Sequence, residues 1–208
     1  INNVTALPST VYATVTNAAG CESLTVAIDV NVTFAPPASS AMTEACDNGS
    51  GQATFNLNSL INVINQGQPN TVTFFADMAA TIPIANPGAY TTNGNAYAVV
   101  SGPSGCNSAP VTVYLIIIPI PFATSTTMTA CDNGSGQATF NLNTINAIID
   151  GGFGGATTFY TDAATTNQIL APNAFVSSTT TIYAVVALDG CTAAPVPVTL
   201  NVIPGPAA

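Results

Sequence analysis

Ala45–Asn58 reads ACDNGSGQATFNLN, and Ala130–Asn143 reads ACDNGSGQATFNLN again, 85 residues later. Identity over a stretch of this length does not arise by chance, so the chain is built from repeats. The register holds on either side. Phe74 and Asp77 recur as Phe159 and Asp162, and Cys21, Cys106 and Cys191 fall 85 residues apart, each preceded by glycine. Upstream of these cysteines stand Tyr12, Tyr97 and Tyr183, in VYATV, AYAVV and IYAVV.

Each unit reads as strands. Val111, Val113, Leu115 and Ile117 alternate with Thr112, Tyr114, Ile116 and Ile118, and Val196, Val198, Leu200 and Val202 repeat the pattern. In the earliest copy Val26, Ile28, Val30 and Val32 do the same. Period-two alternation is the mark of a strand with one buried face. Ala53, Phe55 and Leu57 set the same pattern at the start of the unit. Short alternating strands, Asn-Gly turn signals and units of about 85 residues predict an all-β chain of tandem immunoglobulin-like β-sandwiches. Pro197 has no N–H to give a ladder, which predicts a sheet edge for the last strand. Asn58–Asn65 (NSLINVIN) has room for one helical turn. Prolines mark the joints: residues 1–35 are the closing strands of a partial repeat, 36–121 a complete repeat and 122–208 a second.

Composition narrows the function. Nine carboxylates stand against no Lys, Arg or His, a formal charge of −9. Without cations there are no phosphate contacts, so nucleic acid is excluded as a partner. Serine and cysteine nucleophiles have no His or Lys base in the chain, and the isolated carboxylates form no catalytic motif. The expectation is a protein that is not an enzyme and takes no cofactor. The longest apolar run, Val113–Phe122 (VYLIIIPIPF), is too short to span a bilayer and contains two prolines, so direct membrane insertion is not expected. The chain does not begin with Met and shows no signal peptide, and it reads as an excerpt of something longer.

The CDNGSGQATFNL motif, the YA-V-V strand, the Gly-Cys turn and the Val-rich strand ending in proline together resemble repeats of very large Bacteroidota surface proteins. These include the SprB-like gliding-motility adhesins exported by the type IX secretion system. The resemblance covers essentially the whole chain. It implies an extracellular, cell-surface location and a long adhesive fibre whose partners are neighbouring repeats, with extracellular polysaccharide or a solid surface as its target. The function expected is a structural stalk or adhesive repeat region. The alternatives are a glycan-binding β-sandwich module or a spacer in a secreted polysaccharide hydrolase.

Related repeats often carry several acids after the cysteine. Here only Asp47 and Asp132 remain, followed by Asn48 and Asn133. These four are the candidate calcium ligands, weighed against an Asx-type turn in which they bond nearby backbone. The turn is the preferred reading, with no metal bound. Tyr12, Tyr97 and Tyr183 are read as framework residues in preference to a sugar-stacking platform. The sequons at Asn3, Asn31, Asn48 and Asn133 are read as incidental.

Five cysteines with no histidine and no C-x-x-C spacing favour disulfides and an oxidising compartment. Two pairings fit the repeat. One is intra-repeat, Cys46–Cys106 and Cys131–Cys191, with Cys21 paired upstream. The other is shifted, Cys21–Cys46 and Cys106–Cys131. Chain entropy separates them by only about 1 kcal/mol. The intra-repeat pairing is preferred, because first and last strands of such sandwiches often neighbour one another.

Overall fold

A computed structural model of the chain describes residues 9–205. The sequon at Asn3 lies outside the described residues. The chain opens on β1 (Ser9–Ala13) and β2 (Val26–Val30), an antiparallel pair with Ser9 opposite Val30 and Ala13 opposite Val26. The first complete repeat contributes β3 (Ala41–Cys46), β4 (Ala53–Phe55), β5 (Thr71–Phe75), β6 (Tyr90–Thr92), β7 (Ala96–Ser101) and β8 (Val111–Ile118). The second repeats this with β9 (Thr126–Cys131), β10 (Ala138–Phe140), β11 (Ala156–Tyr160), β12 (Phe175–Ser177), β13 (Thr180–Leu188), the short β14 (Cys191–Thr192) and β15 (Val196–Ile203).

The sheets of the second repeat run β11-β13-β15-β9 on one side and β10-β12 on the other. The first repeat has the same sheets, β5-β7-β8-β3 and β4-β6. The last strand β15 pairs antiparallel with β13 and parallel with the first strand β9. With a hairpin-linked three-strand sheet, a parallel first strand at its edge and a smaller opposing sheet, each repeat is an immunoglobulin-like sandwich.

Alternation becomes burial where both layers are present. Phe140 from β10, Phe159 from β11, Ile182 and Val186 from β13, and Val198 and Leu200 from β15 meet in one buried cluster. Leu142, Ile145 and Ile149 close it from a short helical segment, Leu142–Ile145 followed by Asn146–Ile149. The first repeat has the matching turns at Leu57–Leu60 and Ile61–Ile64, where a helical turn was expected, with Leu57, Leu60 and Ile64 buried. Apolar residues at i, i+3 and i+7 bring one helical stripe to the core.

One expectation needs correction. β15 is not a sheet edge, since it lies between β13 and β9. Pro197 is tolerated because the β9 ladder begins at Thr126 opposite Val198, one residue past the proline. Val26 and Ile28 stand two residues apart on β2. Among the described residues β2 pairs with β1 only, and the two side chains are 60% and 47% exposed.

The chain separates into two compact units. One comprises Ile1–Met42, Leu57–Pro87 and Asn95–Tyr114, and the other Thr43–Asn56, Gly88–Gly94 and Leu115–Ala208. The second unit thus holds the whole second repeat together with the end of β3, the β4–β6 pair and the end of β8.

Candidate functional site, a disulfide joining successive repeats

Cys46 ends β3, and the residue after it ties that end down: the Asp47 N–H donates to the Ile118 carbonyl at 2.8 Å, where β8 finishes. The loop then folds on its own side chains. The Asp47 carboxylate accepts the N–H groups of Gly49 (2.7 Å) and Gly51 (3.0 Å), and the Asn48 carbonyl accepts the Ser50 N–H at 3.0 Å. Gly49 at φ 90° supplies the left-handed backbone that the turn needs. Asp132, Asn133, Gly134, Ser135 and Gly136 reproduce the same bonds. One carboxylate oxygen of each aspartate and the amide oxygen of each asparagine are therefore turned to the loop's own backbone. No group of three or more His, Cys, Asp or Glu side chains gathers as a metal site among the described residues.

Cys191 comes from the opposite end of a sandwich. It pairs with Leu188 across a two-residue turn, Asp189-Gly190, with both φ positive at 51° and 80°. Two positive φ values make a type I′ hairpin, for which Asp-Gly is a favoured pair. The side chain of Cys191 is 1% exposed and its sulfur lies 4.0 Å from the Ile118 carbonyl oxygen. There it bonds Cys46, with the Cα atoms 5.6 Å apart and a separation of 145 in sequence.

This overturns the expected pairings Cys46–Cys106 and Cys131–Cys191, and the shifted register as well. Among the described residues Cys21, Cys106 and Cys131 form no disulfide. The reason is the parallel pairing of first and last strands. In the second repeat Cys131 stands opposite Ile203, the last residue of β15, whereas Cys191 precedes Val196, the first. Seven residue steps at ~3.3 Å separate the two ends by about 23 Å, far beyond the roughly 7 Å that a disulfide tolerates. The early cysteine leaves one end of its own repeat and meets the late cysteine of the next.

Apolar contacts surround the staple. Ile118, Pro119, Ile120, Pro121, Phe122, Phe153, Leu188 and Asp189 line a cavity of about 380 Å³. The Phe122 and Phe153 rings meet edge to face at 6.2 Å. Gly151 makes room for them, since a Cβ there would stand 2.9 Å from the Phe122 ring. Ile118, placed by its alternation on an outward face, is thus part of this wall, and Ile116 stays 39% exposed. Tyr97 and Tyr183 are half-buried on β7 and β13, opposite Phe75 and Tyr160, while Tyr12 is 70% exposed.

Asp77 and Asp162 hold the turn after β5 and β11. Asp162 accepts the N–H and hydroxyl of Thr166 (both 3.1 Å) and the N–H of Asn167 (2.8 Å). Asp77 accepts the same pair of groups from Thr81 and the N–H of Ile82 at 2.7 Å. For Asp162 the Thr166 N–H leads, and with the other donors it outweighs desolvation, so the carboxyl titrates below the ordinary aspartate range. At Asp77 desolvation pushes upward, but the Ile82 and Thr81 donors prevail and the carboxyl is also lowered. Both groups bind protons more readily when unfolded. Their stabilisation is complete above the unfolded pKa and is lost as pH falls through the lower folded value. The urea midpoint is accordingly expected to stay flat from about pH 8 to 5 and fall below about pH 4. Asp77→Asn with Asp162→Asn should flatten that acid limb.

Among curated proteins none matches this sequence. Among solved structures, human mucin-like protocadherin EC1-2 is 11% identical over 81% of this chain and 98% of that chain, with a TM-score of 0.24, too distant to carry an argument. The sequence profile of the Flavobacterium inter-domain disulphide bond domain matches residues 42–121 and again 127–206. Cys46 lies in the first match and Cys191 in the second, so the bond between them is an inter-domain disulfide. The chain belongs to the Flavobacterium inter-domain disulphide bond domain family.

Proposed function

We propose that this chain is a load-bearing segment of a stalk in a long secreted surface protein, of the kind that carries an adhesive tip away from the cell in SprB-like gliding adhesins. The observation that carries the reading is the Cys46–Cys191 bond, which joins one repeat to the next. A disulfide of this kind persists in an oxidising compartment, which supports an extracellular location. No helix among the described residues is long and apolar enough to cross a membrane.

The placement of the bond suits tension. Force applied to the two ends of the chain passes from Cys46 directly to Cys191, and the 145-residue segment between them is bypassed. Strands β4–β8 and β9–β13 lie in that segment, so a pull cannot draw them out while the bond holds, and of the two repeats' long strands only β3 and β15 stay on the loaded path. At ~3.5 Å per extended residue the shielded length is about 500 Å. The test is single-molecule stretching with handles at the two termini. The oxidised chain should reach its limit short of full length, and a reductant should release about 500 Å more. Release of that length without reductant would refute the load-bearing role.

A further inference from the structure

We propose that the apolar cleft beside the Asp189-Gly190 turn is a docking site for an arginine side chain presented by another protein. Every residue that lines the cleft belongs to Leu115–Ala208, within one compact unit of the chain. Its volume of about 380 Å³ is at the small end of ligand-sized pockets and suits one long side chain. The side chains that line it are apolar with one exception: Ile120, Phe122, Phe153 and Leu188 present carbon, and Asp189 presents a carboxylate. An apolar slot with a single negative charge matches a side chain that has an aliphatic stem and a cationic head. Arginine fits better than lysine. Its weakly hydrated plane stacks on aromatic rings, and its fork of N–H groups matches a carboxylate.

The carboxylate is free for such a partner. The other six aspartates each accept at least one hydrogen bond from a nearby hydroxyl or backbone N–H. Among the described residues Asp189 accepts none, and it is exposed. No cation of this chain can take it, because the chain has no Lys, Arg or His. The same lack rules out a second copy as the occupant, and two copies at −9 each repel one another. A cationic partner is drawn toward that uniform negative field. The cleft is also not part of the repeat framework. The first repeat carries Pro37, Gln68 and Ser104 where the second carries Phe122, Phe153 and Asp189, so the two rings and the charge occur together. Both rings stand well out in water, at 52% and 70% exposure, and an aromatic pair left open in this way is a contact surface.

The probe is the peptide acetyl-Leu-Arg-Leu-amide, titrated to millimolar concentration into the full chain and followed by NMR. The expected result is saturable shifts of the signals of Ile120, Phe122, Phe153, Leu188 and Asp189, with those of Pro37, Gln68 and Ser104 unmoved. The same peptide with citrulline in place of arginine keeps the shape without the charge, and should bind about threefold more weakly. Asp189→Asn should weaken the arginine peptide by a similar factor and reduce the salt dependence of its binding. That substitution leaves the turn intact, because Asn-Gly serves a type I′ hairpin as well as Asp-Gly. Phe153→Ala should also weaken binding about threefold, with the melting temperature unchanged because the ring is mostly exposed. Glu44→Gln removes an exposed charge outside the cleft and should change nothing, which separates a local contact from the effect of net charge. Equal binding of the citrulline peptide, an Asp189→Asn variant that binds like the wild type, or signals that do not move would each overturn the proposal. Tetramethylammonium moving the same signals at lower concentration than the peptide would also overturn it, and would assign the cleft to a quaternary ammonium ion.

Discussion

Cys46→Ser should be the most destabilising substitution at the joint, and Cys106→Ser and Cys131→Ser should be close to neutral. The Cys46–Cys191 bond closes a loop of 145 residues. On the chain-entropy model such a closure removes about 5 kcal/mol of unfolded-state freedom. In a chain of this size that corresponds to a fall in melting temperature of roughly 10–20 °C. Cys191→Ser should have the same effect, and the double variant should add almost nothing, because the two substitutions delete one bond. The neutral variants matter as much as the harmful ones. Had the bonds been intra-repeat, Cys106→Ser and Cys131→Ser would each have cost one. Thermal denaturation of the five variants without reductant checks all of this, and added reductant should bring the wild-type curve onto that of Cys46→Ser.

Phe159→Ala should destabilise the second repeat by about 3–5 kcal/mol. The ring is 2% exposed and sits in the cluster formed by Ile182, Val198 and Leu200. Its partner across the ladder is Ala184, itself fully buried, so small opposes large and the neighbour has no side chain with which to fill the gap. Phe74→Ala makes the same deletion in the first repeat, where Phe74 is 3% exposed and faces Ala98. Leu170→Ala is the control, since Leu170 is 86% exposed and should shift stability by less than about 0.5 kcal/mol. Urea unfolding, followed separately by NMR signals of each repeat, should show each core substitution lowering the midpoint of its own repeat first.

The fold was legible because its signals are local. An identical motif at Ala45 and Ala130 fixes the period, and Val198 and Leu200 alternate with polar partners because one face is buried. The helical turn at Leu57–Ile64 shows in its apolar spacing. The Asp-Gly pair at Asp189-Gly190 is equally local and carries the signature of a type I′ hairpin. Pro197 misled because a missing N–H excludes a ladder bond at one residue and not a place inside the sheet. The joint was hidden for a different reason. Spacing shows that cysteines recur every 85 residues but not which end of a sandwich each occupies. That depends on β9 running parallel to β15, a non-local pairing that sends Cys131 to one end and Cys191 to the other. Free energies of loop closure could not help, since they depend only weakly on length.

The central claim is that the covalent link runs from one repeat to the next. Mass spectrometry of a non-reduced digest tests it most directly, with pepsin as the protease because a chain without Lys or Arg gives trypsin no site. The predicted result is a peptide containing Cys46 joined to one containing Cys191, with Cys106 and Cys131 recovered as thiols. Peptides joining Cys46 to Cys106 and Cys131 to Cys191 would contradict it, and the repeats would then be stapled only within themselves.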